Sequence, residues 1–270
     1  MIIQGIFHTH STYSHDGKLS LSKIRHQLQG SGLDFAFTAE HYDDFNEIKM
    51  KAYGDEIRDL NEKSKFLFIP GFEIDFREVH IIVYGLEKYV KFHDSQELFN
   101  YSRENPKIIT ILAHPSKISD SKVLEYFLER TDGFEVWNKR ADGRYFDYLF
   151  LKKVKEHFNV QSKIKVFGLD LHDAKDFNYN ILIFNLSETT EDSLLQSFRQ
   201  GYFQNSSMPR SYDALESLDQ LLDSVSRGFR IRYFLLMWLR LIASLGYRFA
   251  KLFFSQKRIE NIKNKIKRVL

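Results

Sequence analysis

The 270 residues contain no cysteine. Disulfides and thiolate–metal sites are therefore excluded, and a reducing cytosol is the natural home for such a chain. Long apolar runs are missing as well. The opening stretch "MIIQGIFHTH" has no basic segment ahead of an apolar core and no small-residue cleavage site, so no signal peptide is expected there. In the C-terminal stretch, Arg240, Arg248 and Lys251 limit the longest uncharged runs to seven residues, Tyr233–Leu239 and Leu241–Tyr247. A membrane span needs about 20 predominantly apolar residues. No internal repeat and no low-complexity block is present.

What is present is the composition of a soluble globular protein with a sizeable core, 43% hydrophobic and 28% charged. The net charge of +3 hides a division. Residues 227–270 carry 12 Lys/Arg and one acid, a net +11, whereas residues 1–226 carry 27 Lys/Arg and 35 acids, a net −8. In helical projection Arg240, Ser244, Arg248, Lys251, Ser255 and Arg258 fall on one side of the tail, and Leu235, Leu236, Trp238, Leu239, Leu245, Phe249, Leu252 and Phe253 occupy much of the rest. Such a helix suits an anionic membrane surface, with packing on the barrel or on a second subunit as the alternative. Nucleic acid is the lesser option, because the tail is too apolar for a phosphate track to lead.

The expected organisation is a catalytic domain over 1–208, a linker or helix over 209–226, and a basic amphipathic helical tail over 227–270. Short apolar or β-rich runs recur through the first part, and most end at a chemically useful residue. "IIQGIF" ends at His8, "DFAFTAEH" at His41, "KFLFIPGFE" at Glu73 and "KIITILAH" at His114. "HIIVYG" begins with His80, "GFEVW" contains Glu135, and "IKVFGLDLH" closes on Asp170 and His172. Helical periodicity lies between them over 20–32, 121–133 and 145–158, and 191–207 reads as a last helix, a Gly turn and a short strand. Strands alternating with helices predict a parallel sheet or barrel, and an α/β barrel gathers its chemistry at the C-terminal ends of its strands.

Three histidines and an aspartate fall within nine residues, His8, His10, His15 and Asp16. Alternation along a strand puts His8 and His10 on one face, ready to chelate. The metal candidates are His8, His10, Asp16, His41, Glu73, His80, His114, Asp170 and His172. Imidazoles and carboxylates without thiols suit zinc, manganese, iron or nickel. His26, His93 and His157 lie in polar stretches and read as surface residues.

The series "HTHSTYSHDG", "TAEH", "GFEIDF", "VHIIVYG", "ILAHPSK" and "FGLDLHD" resembles, in order, the motifs of the polymerase-and-histidinol-phosphatase (PHP) family. The resemblance covers roughly Met1 to Ser207. Two departures stand out, Glu40 where the family more often has Asp and Leu169 where it usually has Ser. The resemblance implies a distorted (β/α)7 TIM-like barrel with two or three divalent metal ions, of zinc, manganese or iron, at its C-terminal face. By that analogy His8, His10, Glu73 and Asp170 hold the first ion. Glu73 bridges to a second, completed by His80 and His114, and Asp16, His41 and His172 hold a third. His15 is the rival to Asp16, which is preferred because "DG" matches the commoner form of the motif. Glu73, Asp170 and His172 form the candidate catalytic set.

Paired divalent ions lower the pKa of a bound water from 15.7 to roughly 7 and neutralise charge on phosphoryl oxygens. The expectation is a hydrolase that cleaves a phosphoester with metal-activated water, most simply a small phosphate monoester. The alternatives are a nuclease or phosphodiesterase, hydrolysis of another ester or amide, and a non-catalytic metal-stabilised module acting through its tail. Candidate substrate contacts are Lys117, Asn138, Lys139, Arg140 and Arg144, since Arg forks and Lys ammonium groups suit phosphate. Glu135 reads as a supporting or substrate residue, and Trp137 as barrel packing or a stacking platform. A cytoplasmic location is expected, with the tail peripheral on the inner membrane face as an option.

Overall fold

The computed structural model describes residues 1–143, 146–177, 180–207, 210–215 and 222. The chain divides into two compact units, 1–219 and 220–270. The tail at 227–270, most of the expected linker, and Arg144 lie outside the described residues.

The first unit begins with β1 (Ile2–Thr9), α1 (Leu21–Gly30), β2 (Phe35–Thr38), β3 (Glu40–His41) and α2 (Glu47–Glu62). It continues through β4 (Leu67–Ile69), β5 (Gly71–Phe76), β6 (Val79–Tyr84), α3 (Ser95–Glu104) and β7 (Ile109–Leu112). Then come α4 (Ser121–Arg130), β8 (Gly133–Asn138), the short α5 (Lys139–Asp142), α6 (Tyr148–His157) and β9 (Ile164–Gly168). It closes with β10 (Asn180–Asn185), α7 (Glu191–Gln200), β11 (Phe203–Ser207) and β12 (Arg210–Asp213).

Local chemistry sets the helix starts. Ser20, Asn46, Asp94, Asp120, Asp147 and Thr190 each accept a backbone N–H of the first turn with a side-chain oxygen. Gly201, at φ 69°, ends α7 and turns the chain into β11. The helices expected over 20–32, 121–133, 145–158 and the start of 191–207 correspond to α1, α4, α6 and α7. The sequence reading did not include α2 and α3.

The strands form two six-stranded sheets, ordered β12-β11-β10-β1-β2-β4 and β3-β5-β6-β7-β8-β9. They are mixed, which corrects the expectation of a purely parallel sheet. β5 and β6 form a hairpin in which Phe76 pairs with Val79, so only Arg77 and Glu78 connect them, too few for a parallel crossover. β6 pairs antiparallel with β7, β1 with β10, β10 with β11, and β11 with β12. β12 pairs with β11 from Ser207↔Arg210 to Gln204↔Asp213, so the sheet gains a strand beyond Met208-Pro209.

Backbone hydrogen bonds tie the end of β1 to the segment after β9: Leu169 N–H to Phe7 O, Leu171 N–H to His8 O, and His10 N–H to Leu171 O. Beneath them lies an apolar core that includes Phe7, Phe35, Phe37, Tyr84, Phe184 and Phe198, with Ile82, Ile111, Val166 and Leu182 between the rings. Phe7 stacks on Phe198 with ring centroids 5.5 Å apart. This core is the floor on which the polar cluster described next is built.

Candidate metal centre

His8 does not reach the cluster by simple alternation. The β1–β2 register shifts between Phe7 and Thr9, and His8 sits in the bulge at φ 66°. The bulge re-aims the side chain, as bulges beside functional sites do. His8 Nε2 then lies 3.1 Å from His10 Nε2. Asp170 and His114 also have positive φ, 55° and 30°. A non-glycine residue there costs of order 1–3 kcal/mol and persists only where its surroundings over-determine it. Among the described residues only Arg77, in the β5–β6 turn, shares this feature with these three.

Three groups bring donor atoms within 4.8 Å of one another: His8, His10 and Asp170; Glu73, His80 and His114; and His10, Asp16, His41 and His172. Glu73 is the hub. Its Oε1 lies 3.0 Å from His80 Nδ1, 3.1 Å from His114 Nε2 and 3.6 Å from His8 Nε2, and its Oε2 lies 3.3 Å from His41 Nδ1 and 3.6 Å from His10 Nε2. Asp170 Oδ1 is 3.8 Å from His8 Nε2 and 3.7 Å from His10 Nε2. Metal–ligand bonds of about 2.0–2.1 Å give tetrahedral ligand–ligand edges of roughly 3.3 Å. The observed spacings scatter around that value.

Proton placement shows that the donors fit a cation. His8 Nδ1–H donates to Glu135 Oε1 at 2.8 Å, so Nε2 is the ring nitrogen turned toward the cluster. Ser14 Oγ–H donates to Glu40 Oε2, so Ser14 accepts His10 Nδ1–H at 3.3 Å and His10 Nε2 keeps its lone pair. The Nε2 atoms of His8 and His10 face each other at 3.1 Å. His172 repeats the pattern. Its Nδ1–H goes to the Asp170 carbonyl at 3.0 Å, and its Nε2 faces Asp16 Oδ2 at 2.9 Å. Asp16 Oδ1, shielded from solvent and without a hydrogen-bond partner, lies 3.2 Å from His41 Nε2. Donor atoms gathered at these spacings are of the types that ligate a divalent cation.

The electrostatics agree. Burial alone would lower the His8 imidazole, but the carboxylates of Glu135, Asp170 and Glu73 outweigh it and hold it well above its ordinary value. Burial would raise Glu73, and the surrounding imidazoles, His8 first, pull it well below the usual carboxylate range. Burial and the neighbouring His8 push His10 well below its ordinary value. Positive charge is thus favoured within the cluster, while His10 is kept available as a neutral donor.

All nine predicted ligand positions lie in these three groups. His15 does not. Its backbone N–H and Nδ1 engage Asp44 at 2.8 and 2.9 Å, and its side chain is 69% exposed. The predicted substrate contacts divide. Arg140 lies 3.7 Å from Asp176, which accepts the His172 N–H, and its charge helps lower the burial-depressed His172 imidazole. Lys117 is exposed in the single turn that follows His114, and Lys139 opens α5. Asn138 is fully buried, its amide oxygen caps α5 at Ala141 N–H, and its amide nitrogen donates to Glu135. Trp137 is packing, 7% exposed, against Phe146 and Phe167.

Sequence reasoning noted Glu40 only as a departure from the family motif and did not single out Ser14. Glu40 is fully buried, accepts the Ser11 N–H and the Ser14 hydroxyl, and is pushed up to about 7 by burial. Its only signal was its place beside His41.

No family model and no curated protein matches the sequence. The fold does have solved counterparts. One is a two-domain protein from Bacteroides vulgatus containing a predicted PHP-like metal-dependent phosphoesterase, with TM-score 0.56 and 18% identity over 77% of this chain and 65% of that one. Another is a lesion-specific endonuclease from Pyrococcus furiosus, with TM-score 0.52 and 15% identity over 74% of this chain and 56% of that one. The chain spans less than two thirds of the length of either. At these identities the likeness is one of fold alone.

Proposed function

We propose that the chain is a metal-dependent phosphoesterase acting most simply on a small phosphate monoester, with His8, His10, Asp16, His41, Glu73, His80, His114, Asp170 and His172 holding two or three divalent ions. The observation that carries this reading is Glu73, one buried carboxylate within 3.6 Å of five imidazoles. Bound divalent ions supply Lewis acidity toward phosphoryl oxygens and an activated water. The chain's own residues supply the rest. Glu73 and Asp170 keep negative charge at the centre, and His172, fixed through its Nδ1–H, presents Nε2 beside Asp16. Arg140, 46% exposed next to that group, is placed to take a phosphoryl oxygen.

The distorted (β/α)7 barrel belongs to the same reading. It is supported by the backbone bonds joining residues 7–10 to 169–171 and by Ala39 N–H donating to Thr9 O. The zinc, manganese or iron identity rests on the donor types alone. Action on nucleic acid is the second reading, favoured by the fold likeness to an endonuclease. Metal-loaded protein offered a broad panel of phosphomonoesters, with single- and double-stranded DNA and RNA alongside, tests both. Phosphate release from a monoester supports the first reading. Strand cleavage without it supports the second, and neither outcome on the panel would overturn both.

The tail's attachment to an anionic membrane surface, a second subunit or, less readily, nucleic acid, and a cytoplasmic location with peripheral binding, are proposals resting on charge and residue pattern alone. No helix among the described residues is long and apolar enough to cross a membrane. Sedimentation with vesicles containing anionic lipid, compared between the full chain and one ending at residue 226, tests the membrane option.

A further inference from the structure

Glu135 lies outside every candidate ligand group, yet it touches two of them. It is 2% exposed, in the middle of β8. Its Oε1 accepts His8 Nδ1–H at 2.8 Å, and its Oε2 accepts the His114 backbone N–H at 2.6 Å and Asn138 Nδ2–H at 2.8 Å. Both residues it holds are backbone outliers, His8 at φ 66° and His114 at φ 30°. One carboxylate therefore fixes the tautomer of a donor in the first group and the strained backbone of a donor in the second.

The strand beside it is built around this carboxylate. A Cβ on Gly168 of β9 would stand 1.8 Å from Glu135 Oε1 and 2.7 Å from its Cδ. Only glycine leaves the carboxylate where it is. Asn138 spends its amide nitrogen on Oε2, and its own N–H goes to Asp142, whose other oxygen accepts the Ser116 hydroxyl two residues past His114. The chain His8–Glu135–Asn138–Asp142–Ser116, buried as far as Asn138 and half-buried beyond it, runs from the first group back to the loop that carries His114.

We propose that Glu135 is a positioning residue that couples the His8 and His114 metal positions, holding His8 through Nδ1–H so that Nε2 is directed at the first position, while clamping the loop of the second. This rests on the metal-centre reading above and goes beyond it, because Glu135 itself binds no metal. The hydrogen-bond inventory makes it testable. All three groups facing the carboxylate are donors, and a glutamine amide offers one accepting oxygen and one donating nitrogen. In Glu135→Gln the oxygen satisfies the two donors at the Oε2 position, so the NH2 group faces His8. His8 must then accept at Nδ1 and carry its proton on Nε2, which removes the lone pair from the metal position.

The experiment uses full-length protein loaded with zinc, with metal content read by mass spectrometry and histidine tautomers by 15N NMR. In the wild type, His8 is expected to ligate through Nε2 with a proton on Nδ1. In Glu135→Gln, the first-position affinity is expected to fall roughly 10–100-fold, the range for losing a partner of a metal-ligating histidine, with His8 shifted to the Nε2–H form. Glu135→Asp, which restores the carboxylate at shorter reach, should recover the Nδ1–H form. Gly168→Ala should reproduce the loss by displacing the carboxylate. Unchanged zinc affinity and an unchanged His8 tautomer in Glu135→Gln would overturn the proposal. So would wild-type protein in which His8 binds zinc through Nδ1 or takes up no zinc, a result independent of whether any variant folds. Phosphate release is not part of the readout. Protein that binds zinc and shows the tautomer shift but hydrolyses no ester would overturn the phosphoesterase reading and leave this one standing.

Discussion

Neighbouring residues on the same strands serve two opposite environments. Phe7 packs on Phe198 and Tyr84, and the next residue, His8, joins the polar cluster. Phe72 meets the rings of Tyr42, Phe45 and Tyr53, and the next residue is Glu73. Phe134 is fully buried, and Glu135 follows it. Below this line the interior is largely apolar and aromatic. Above it, imidazoles and carboxylates crowd together, and three of the four non-glycine residues with positive φ hold candidate donors. The difference teaches that the apolar layer does more than stabilise. A close-packed floor has no slack, so it can hold His8, His114 and Asp170 in conformations they would leave if free.

Removing the hub should break the comparison most completely. Glu73→Gln takes one charged oxygen from among five imidazoles. Steady-state kinetics on the best substrate should show a loss on the order of 10³-fold or more, with metal content lowered, because electrostatic contributions of this kind are the largest in such sites. Phe198→Ala attacks the other layer. It should cost about 3–5 kcal/mol in denaturant unfolding, and metal affinity should weaken with it because the floor under His8 relaxes. Unchanged metal affinity in a destabilised Phe198→Ala protein would separate the two layers and contradict this account.

A smaller effect is expected at Lys165, a buried charge on β9 away from the metal cluster. Its ammonium donates to the carbonyls of Gln161 and Lys163, and burial lowers it from 10.5 to about 8. With the folded value below the unfolded one, the buried charge destabilises the protein below pH 8, and the penalty fades as pH rises from 8 toward 10.5. Lys165→Met should therefore be more stable than the wild type at pH 7 by ~1–3 kcal/mol, with the gap closing by pH 10 in parallel thermal melts. The smallest effect belongs to His15→Ala. Its imidazole pairs with Asp44 outside the cluster, so turnover should change less than about fivefold, the ceiling for an exposed pair worth ~1 kcal/mol. Asp16→Ala, one residue on, should cost far more.

How much of this was legible depended on whether the signal was local. Histidines and acids at the ends of apolar runs marked His8, His41, Glu73, His114, Asp170 and His172, because a strand end and a polar residue are adjacent in the chain. The helices α1, α4, α6 and α7 were legible for the same reason, through periodicity along neighbouring turns. The β5–β6 reversal was less so, since Arg77-Glu78 carries no glycine and the turn is paid for by Arg77 at φ 68°. The bulge at His8 had no local sign at all. Nor did the role of Glu135, whose partners lie 127 and 21 residues away in sequence. The burial of Asn138 was not legible either, because a buried, doubly bonded amide and an exposed one look alike in a loop-like string of polar residues.

The central claim is that the polar layer is a metal centre serving phosphoester hydrolysis. It is tested most directly by measuring metal content and phosphate release on one purified sample, before and after chelation and reloading. The account predicts two or three divalent ions per chain, turnover on at least one phosphoester, loss of both on chelation, and return of both on reloading. Protein that remains metal-free after reloading, and inert, would contradict it.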